Sequence, residues 1–241
     1  VRKRPKNSNS AKKEEGRLVI IRHGKTGYNR LGVFTGWEDA PLIDSGRAEA
    51  RKAGQLLKLH GIEFDVVYTS WLSRAVETAY IVMNELDDLW LPIIKSWRLN
   101  ERMYGALTGM SKNMIREKHG EHQFKIWRKS YNVPPPPVTS YSASYPGNDE
   151  RYVKNAAEID LRYSVFESLL RSISLKKFQL HKKFPKTESL KNCMDRTIPY
   201  YKNVIEPDAL DKGKTVLIAS SENAIRGLLM HLMNIPPDRV N

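Results

Sequence analysis

The sequence predicts an α/β fold in which a mostly parallel β-sheet lies between layers of helices, a three-layer α/β/α arrangement. Short apolar runs typical of buried strands alternate with runs typical of helices, and this order favours parallel strands covered on both faces. The chain has 241 residues, of which 40% are hydrophobic. This size suits one domain with a full core, which we place at residues 17–241, after a disordered basic tail at 1–16.

Short apolar segments carry the strand signal. Residues 215–220 (TVLIAS) are strongly apolar, and residues 17–21 (RLVII) read as a short buried strand that runs directly into Arg22. We place the strands at 17–21, 64–70, 93–99 and 215–220.

Apolar residues at helical spacing predict the helices between these strands. In residues 71–87, for example, Leu72, Ala75 and Ala79 fall on one stripe, and Gly61 is a natural stop for the preceding helix. We place the helices at 45–60, 71–87, 111–130, 187–203 and 222–233.

Prolines mark two interruptions. The run Pro134–Pro137 breaks regular structure, and we expect an extended loop from there to about residue 150. The pair Glu206-Pro207 is expected to end the helix that starts at Thr187 and Glu188.

The formal net charge of +13 is unevenly distributed. Residues 1–17 hold seven basic and two acidic residues, and residues 160–186 hold the same numbers. We interpret these stretches as a solvated tail and a basic surface insert at about 155–186. A contact with nucleic acid or an acidic protein, or the remnant of an organellar targeting sequence, stays open. Aromatic residues are not interleaved with the basic ones in the tail, which disfavours nucleic-acid binding.

Cysteine content and apolar run length exclude several classes of protein. Cys193 is the single cysteine, so the chain forms no internal disulfide and no Cys-based zinc site, and it fits a reducing compartment. The longest apolar runs, such as Val216–Ala219, are far too short to span a bilayer. We therefore expect no membrane partner.

The triplet Arg22-His23-Gly24 follows the first predicted strand directly. In open parallel sheets, ligands bind beyond the carboxyl ends of the strands. A neutral histidine there can act as a nucleophile, an arginine offers a planar fork to phosphate oxygens, and glycine lets the backbone approach closely. Alone, this triplet is a weak signal, because a single histidine after a strand is more often structural.

The triplet is the first part of an ordered set of segments: LVIIRHGKTGYN (18–29), FTGW (34–37), YTSWLSRAVET (68–78), LNERMYGALTG (99–109) and YPGNDERY (145–152). Together they resemble the cofactor-dependent phosphoglycerate mutases of the histidine phosphatase superfamily. The resemblance covers most of residues 17–241. It implies an enzyme of glycolysis and gluconeogenesis that interconverts 3-phosphoglycerate and 2-phosphoglycerate, with 2,3-bisphosphoglycerate as the primer and no metal.

The resemblance also implies roles for individual residues. His23 matches the histidine that carries the phosphoryl group, and Glu101 matches the carboxylate that moves the proton between substrate hydroxyl and leaving oxygen. Arg22 and Arg74 match arginines that bind phosphate. The residue types agree with the chemistry, since phosphoryl transfer relies on positioning and neutralisation of charge. The other matched phosphate- and substrate-binding residues are Asn29, Thr35, Gly36, Tyr104, Lys112, Arg128, Lys129 and Asn223.

The pattern breaks after the last predicted strand. Where the family has a second histidine followed by glycine, this chain has Ser221 and Glu222. If Glu222 points inward, its charge repels the phosphate and we expect badly impaired catalysis. If it points outward, Ser220 or Ser221 caps the helix, whose amides still face the phosphate. Lys129 is a smaller departure, a point charge where an arginine fork is usual.

Three functions therefore stay open. The first is an active mutase. The second is a catalytically impaired mutase-like protein that serves as a structural or binding subunit through its basic tail and insert. The third is a phosphatase of the same superfamily that uses His23 and water. Because members of the family are often dimers or tetramers, we expect a homo-oligomer. We also expect a cytoplasmic protein, with a plastid or mitochondrion as the alternative suggested by the basic start.

Overall fold

The computed structural model describes residues 15–154 and 184–239. Within these residues a four-stranded sheet is formed by β1 (Arg17–Arg22), β2 (Val66–Thr69), β3 (Ile93–Lys95) and β4 (Thr215–Ser220). The strand order is β1-β4-β2-β3, and each neighbouring pair is parallel. The predicted α/β class with a parallel sheet is confirmed.

Helices lie on both faces of this sheet. The α-helices that frame the sheet and the site are α1 (Gly27–Leu31), α2 (Asp44–Leu59), α3 (Ser73–Glu85), α4 (Lys112–Lys129), α5 (Leu190–Tyr200) and α6 (Glu222–Leu232). Shorter elements are the 3-10 turns Trp97–Leu99, Gly105–Leu107, Pro146–Asn148, Leu210–Lys212 and Pro237–Arg239, the π-helical turn Tyr201–Ile205 and the α-helical turn Glu206–Asp208.

The sheet has a hydrophobic core on each side, because successive residues of a strand point to opposite faces. Val216 and Ile218 of β4 pack on the side of α5 and α6, where they meet Leu228. Leu217, which lies between them in the chain, packs on the other side with Val82 of α3. The apolar character of β4 on both faces explains why its boundaries are predicted correctly from the sequence.

The strands β1 and β4 end side by side, and this places the candidate site. Arg22 is paired with Ser220 across the two strands, and the amide of His23 donates to the carbonyl of Ser220 at 2.9 Å. His23 and Ser221 therefore leave the sheet next to each other. This is the carboxyl edge of the sheet, where ligands of open parallel sheets bind.

The third strand is shorter than predicted. β3 ends at Lys95, and residues Trp97–Leu99 form a 3-10 turn instead of extending the strand to residue 99. The hydroxyl of Ser96 accepts a hydrogen bond from the amide of Arg98, which bends the backbone out of the sheet. Side-chain capping of this kind competes with strand pairing.

The helix predicted at 187–203 has different limits. Ser189 and Asn192 form a capping box that starts α5 at Leu190, so Thr187 and Glu188 precede the helix. At the other end the helical path continues through a π-helical turn and the turn Glu206–Asp208. The pair Glu206-Pro207 therefore does not end it, because proline is tolerated in the first turn of a helical segment.

The short helix α1 (Gly27–Leu31) is missing from the sequence prediction. The other predicted helices and strands agree with the structure to within a few residues, with one interruption. α4 is broken at Gly120, whose φ of 79° and ψ of 158° are not helical. Residues Pro134–Pro137 have no regular secondary structure, as predicted. The tail at 1–14 and most of the basic insert, residues 155–183, lie outside the described residues, so the interpretation of both stays a prediction.

Candidate active site

His23 lies directly after β1 and is only 8% exposed. Its Nδ1 lies 2.7 Å from the carbonyl oxygen of Gly24. A carbonyl can only accept, so Nδ1 carries the proton and Nε2 carries the lone pair. Burial, with a contribution from the charge of Arg74, lowers the pKa of His23 from 6.5 to about 3. The imidazole is therefore neutral near pH 7, as a nitrogen nucleophile requires.

Arg74, in the first turn of α3, is 1% exposed and lies beside that nucleophilic nitrogen. Its Nε donates to Nε2 of His23 at 3.3 Å, and its terminal nitrogens donate to the carbonyls of Glu38 and Gly36 at 2.8 Å. Two strong bonds to backbone carbonyls hold the guanidinium in place, whereas the bond to His23 is long and weak. A phosphoryl oxygen can therefore replace His23 as the partner of Nε.

Glu101 follows the 3-10 turn Trp97–Leu99 and is buried. Its Oε1 accepts from the amide of Arg102 at 2.6 Å and from the side chain of Asn223 at 2.8 Å, and the amide of Asn223 lies 3.3 Å away. The carboxylate thus sits at the N-terminus of α6, where a negative charge is favourable.

Asn223 and Tyr104 complete this group. The carboxamide of Asn223 also donates to the hydroxyl oxygen of Tyr104 at 3.1 Å. Burial raises the pKa of Tyr104 above its ordinary value, so the phenol keeps its proton and can donate it to a ligand. The Tyr104 ring packs against Phe34 with the ring centroids 5.0 Å apart, which fixes its orientation.

Arg22 is the last residue of β1 and is half exposed. Its guanidinium forms an ion pair with Glu222, the first residue of α6, with Nη2 and Oε2 3.1 Å apart. Glu222 therefore neither enters the buried centre nor points away from the pocket. It lies at the rim, against an arginine that the sequence assigns to phosphate.

Lys112 and Arg128, at the two ends of α4, add positive charge to the same region. Burial lowers the pKa of Lys112, and the neighbouring Arg128 lowers it further, while Glu222 acts in the opposite direction. These residues are thus close enough to influence one another. Lys129 is exposed at the end of α4, and its predicted contact with substrate stays a prediction.

The three matched residues of the loop after β1 have scaffold contacts. The carboxamide oxygen of Asn29 accepts from the amide of Thr26 in a capping box of α1. Thr35 is buried, and its carbonyl accepts from Glu38. Gly36 has a φ of 56°, a value that favours glycine, and this turn directs its carbonyl to Arg74.

The expectation that Ser220 or Ser221 caps α6 is wrong. Ser221 occupies the N-cap position but makes no side-chain capping bond, and within the described residues its buried Oγ has no hydrogen-bond partner. The hydroxyl of Ser220 donates to the carbonyl of Leu99 at 2.6 Å. The amide of Asn223 is directed at Glu101, so this helix amide does not face the phosphate site as expected.

Two arginines near Tyr104 were missed by sequence reasoning. Arg102 is fully buried, lies over the Tyr104 ring at 4.6 Å, and donates to the carbonyls of Trp127 and Arg128. Burial and the charge of Arg102 lower the pKa of Arg226 in α6. The available signal was their spacing, since Arg102 follows Glu101 directly and Arg226 lies one helical turn after Asn223.

A buried ion pair between Glu188 and Arg196 was also missed. Arg196 Nε lies 2.7 Å from Glu188 Oε1, and both side chains are almost fully buried. Arg196 also donates to the carbonyls of Arg98, Asn100 and Glu101. The pair therefore fixes the backbone that carries Glu101, a long-range role that local sequence does not reveal.

A cavity of about 770 Å³ lies apart from this group, beside the turn Gly105–Leu107 and the first half of α4. Met110, Met114 and Trp127 are among the residues that line it, and none of the predicted site residues does. His23 and Arg74, which contacts it, therefore lie outside this cavity.

Two further features concern metal binding and membrane insertion. In residues 15–154 and 184–239 there is no cluster of three or more His, Cys, Asp or Glu side chains that could hold a metal ion. Over that part of the chain, no helix combines the length and the apolar character needed to cross a bilayer.

The chain is similar to known proteins over most of its length. The profile of the histidine phosphatase superfamily (branch 1) matches residues 18–164. A 2,3-bisphosphoglycerate-dependent phosphoglycerate mutase of Nocardia farcinica (strain IFM 10152) is 42% identical over 223 residues, which are 92% of this chain and 80% of that protein.

Solved structures show the same fold. A phosphoglycerate mutase from Bacillus anthracis superposes with a TM-score of 0.60 at 24% identity, over 95% of this chain and 83% of that one. A mycobacterial glucosyl-3-phosphoglycerate phosphatase in complex with VO3 superposes with a TM-score of 0.62 at 19% identity, over 91% of this chain and 83% of that one. At these identities the likeness concerns the fold alone, which hosts both mutases and phosphatases.

Proposed function

This chain belongs to the histidine phosphatase superfamily, and we propose that it acts as a 2,3-bisphosphoglycerate-dependent phosphoglycerate mutase of glycolysis and gluconeogenesis. The observation that carries the proposal is the neutral, buried His23, whose Nε2 lies beside the fixed guanidinium of Arg74. The name of the 42% identical relative supports the choice of substrate. The reaction interconverts 3-phosphoglycerate and 2-phosphoglycerate through a phosphohistidine at His23.

In the first step, Nε2 of His23 attacks the phosphorus of a bound phosphate ester. The new N–P bond forms as the P–O bond to the substrate carbon skeleton breaks. Glu101 removes the proton of the hydroxyl that takes the phosphoryl group from His23, and it returns that proton to the leaving oxygen when a phosphate ester transfers its phosphoryl group to His23. Nδ1 keeps its proton and donates it in a hydrogen bond to the Gly24 carbonyl throughout, so the imidazole ring keeps its orientation.

The cations stabilise the charge that accumulates on the phosphoryl oxygens. The Nε–H of Arg74 can donate to a phosphoryl oxygen in place of His23, while its other nitrogens stay on the carbonyls of Glu38 and Gly36. Arg22 is placed for the same phosphate. Lys112 and Arg128 would hold the substrate's carboxylate or distal phosphate, with the Tyr104 hydroxyl as a neutral donor.

The primer 2,3-bisphosphoglycerate fits the same residues. A ligand with two phosphates and a carboxylate needs several cations around one pocket, and Arg22, Arg74, Lys112 and Arg128 provide them. When bound, it supplies the phosphoryl group that charges His23. The charge and donor set of the pocket is consistent with that ligand and needs no metal ion.

Two observations favour the alternative, a catalytically impaired protein that acts as a structural or binding subunit. Arg22 is paired with Glu222, and Ser221 brings a neutral hydroxyl where the family has a second histidine. A phosphatase would also retain His23, but it would release inorganic phosphate instead of isomerising the substrate.

The experiment is turnover of 3-phosphoglycerate with trace 2,3-bisphosphoglycerate, measured in an assay coupled to 2-phosphoglycerate formation. The variants are His23→Ala, Ser221→His and the double variant Ser221→His/Glu222→Gly. We expect ordinary turnover by the wild type and none by His23→Ala. An inert wild type that the double variant reactivates would support the impaired subunit, and phosphate release without isomerisation would support the phosphatase.

Oligomeric state and compartment stay predictions. We propose a homo-oligomer, a dimer or tetramer, which light scattering of the purified chain would test. We propose a cytoplasmic location, with a plastid or mitochondrion as the alternative, which microscopy of the tagged protein would test.

A further inference from the structure

We propose that Glu222 is an internal competitor for the phosphate site: its carboxylate occupies Arg22 in the free protein and has to be displaced by the ligand. Glu222 would then determine which anions the pocket accepts. This inference rests on the proposed function for the identity of the substrate, but its geometry concerns the phosphate site alone.

The position of Glu222 follows from the ends of two strands. Arg22 ends β1 and precedes His23, and Ser220 is its partner at the end of β4. Glu222 lies two residues further, at the start of α6, and its Oε2 is 3.1 Å from Nη2 of Arg22. The carboxylate of Glu222 therefore lies at the opening of the pocket, in contact with Arg22, which precedes the proposed nucleophile His23.

The influence of Glu222 extends beyond Arg22. Burial lowers the pKa of both Lys112 and Arg226, and in both cases the charge of Glu222 opposes that effect. One carboxylate thus partly neutralises three cations around the same pocket. An anionic ligand that enters meets less positive charge than these cations would otherwise offer.

The pair between Arg22 and Glu222 is suited to exchange. The side chains are 50% and 57% exposed, and ion pairs this exposed are weak because water and salt screen them. A phosphate dianion can bind the arginine fork through two oxygens, a stronger arrangement than one carboxylate contact. A carboxylate ligand such as acetate can bind the same fork through two oxygens, but its single charge makes it a weaker competitor for Arg22 than a phosphate dianion.

A purely structural role for Glu222 makes a different prediction. Negative charge in the first turn of a helix stabilises that helix, and removal of the charge would then change the melting temperature without improving anion binding. Phosphate affinity is therefore the measurement that separates the two roles.

The experiment is titration calorimetry of inorganic phosphate and of acetate into the whole chain. The variants are Glu222→Gln and, as the matched control, Glu121→Gln. Glu121 is also half exposed and pairs with an arginine, Arg116, at 2.8 Å, but it belongs to no part of the proposed site. At low ionic strength we expect Glu222→Gln to bind phosphate about tenfold more tightly. About fivefold of this gain comes from the release of Arg22 from a competing exposed ion pair, and the rest comes from lost repulsion.

The control variant should stay within about twofold of wild type, and the gain at residue 222 should shrink as salt is added. Acetate, a monoanion, should gain somewhat less than phosphate from Glu222→Gln, because release of Arg22 helps both ligands equally and a monoanion loses less repulsion. In an Arg22→Gln background the gain in phosphate affinity from Glu222→Gln should fall below about threefold, because the cation for which Glu222 and phosphate compete is absent.

Phosphate binding by Glu222→Gln that is unchanged or weaker than wild type would overturn the inference, as would a full-sized gain without Arg22. Because the readout is binding of inorganic phosphate, it does not depend on turnover. A chain without mutase activity whose phosphate affinity still rises in Glu222→Gln would refute the proposed function and leave this inference standing.

Discussion

The carboxamide nitrogen of Asn223 lies 2.8 Å from the carboxylate of Glu101. Its other N–H reaches the Tyr104 hydroxyl at 3.1 Å, so both donors of this side chain are committed to protein groups. The sequence assigns Asn223 to phosphate or substrate. The contacts indicate instead a positioning residue, which fixes the proposed acid–base group Glu101 and the Tyr104 hydroxyl relative to each other.

Replacement of Asn223 by alanine should therefore affect the rate more than binding. We expect kcat for 3-phosphoglycerate to fall about 10²-fold, since a small displacement of a reacting group can cost that much. KM should stay within about threefold of wild type. Steady-state kinetics measures both values, with Asn203→Ala, an exposed position, as the control. A large rise in KM with kcat retained would assign Asn223 to substrate binding.

The adjacent serines at the end of β4 should respond in opposite ways to alanine. Ser220→Ala removes a buried hydrogen bond to the Leu99 carbonyl, which should lower the free energy of unfolding by about 1–3 kcal/mol. The Ser221 hydroxyl is buried and, within the described residues, unpartnered, so Ser221→Ala should be neutral or stabilising by about 1 kcal/mol. Urea unfolding of the Ser220→Ala and Ser221→Ala variants measures both changes in the free energy of unfolding. Equal losses would mean that the Ser221 hydroxyl is satisfied in solution.

The environment of His23 makes stability depend on pH. Its pKa falls from 6.5 to about 3 on folding, so below about pH 6.5 the unfolded chain binds a proton that the folded chain does not. The contribution of His23 is therefore complete above that pH and is lost as the pH falls towards 3. Between about pH 6.5 and 5, we expect the wild type to lose up to about 1.4 kcal/mol per pH unit more than His23→Gln.

Urea unfolding at several pH values in this window measures the two slopes. The comparison also controls for the other histidines, because both proteins contain them. Parallel slopes would show that His23 titrates at its ordinary pKa and would contradict the buried, neutral imidazole.

Close backbone contact beside His23 makes two glycines sensitive to substitution. A Cβ on Gly24 would overlap the backbone carbonyl of Gly46 in α2, and a Cβ on Gly46 would overlap the carbonyl of Lys25. We expect Gly24→Ala or Gly46→Ala to lower the free energy of unfolding by about 1–3 kcal/mol and to reduce turnover. Gly27→Ala is the matched control, because its nearest contact is a side-chain atom of Ile43 at 4.0 Å. Equal melting temperatures for the three glycine variants would contradict the prediction.

The sequence predicts the elements whose signal is local. β4 is correct at both ends because each of its faces is apolar, and the loop at Pro134–Pro137 follows from proline chemistry. The start of α5 could not be predicted from composition. Glu188 resembles an N-terminal helical residue, but it is buried against Arg196, one of several contacts that hold a distant loop.

The same distinction applies to the site. The resemblance implies roles for His23, Arg74, Glu101 and Asn223, and the fold places each of them in one connected group. The direction of the Glu222 side chain could not be predicted. It depends on the position of Arg22 at the end of β1, beside the end of β4. The capping role expected of the serines failed for a related reason, since the helix amide of Asn223 already had a partner from another segment.

The contacts of Glu101 have a consequence for the order of folding. Its carboxylate is held by Asn223, 122 positions later in the chain, and its carbonyl by Arg196, 95 positions later. A nascent chain that has released only its N-terminal half contains His23 and the bond from Trp37 to the Glu101 carbonyl, but it lacks the carboxamide of Asn223 that holds the Glu101 carboxylate. Long-range contacts of this kind form slowly, so we expect the proposed phosphoryl chemistry to begin only when the C-terminal segments have docked.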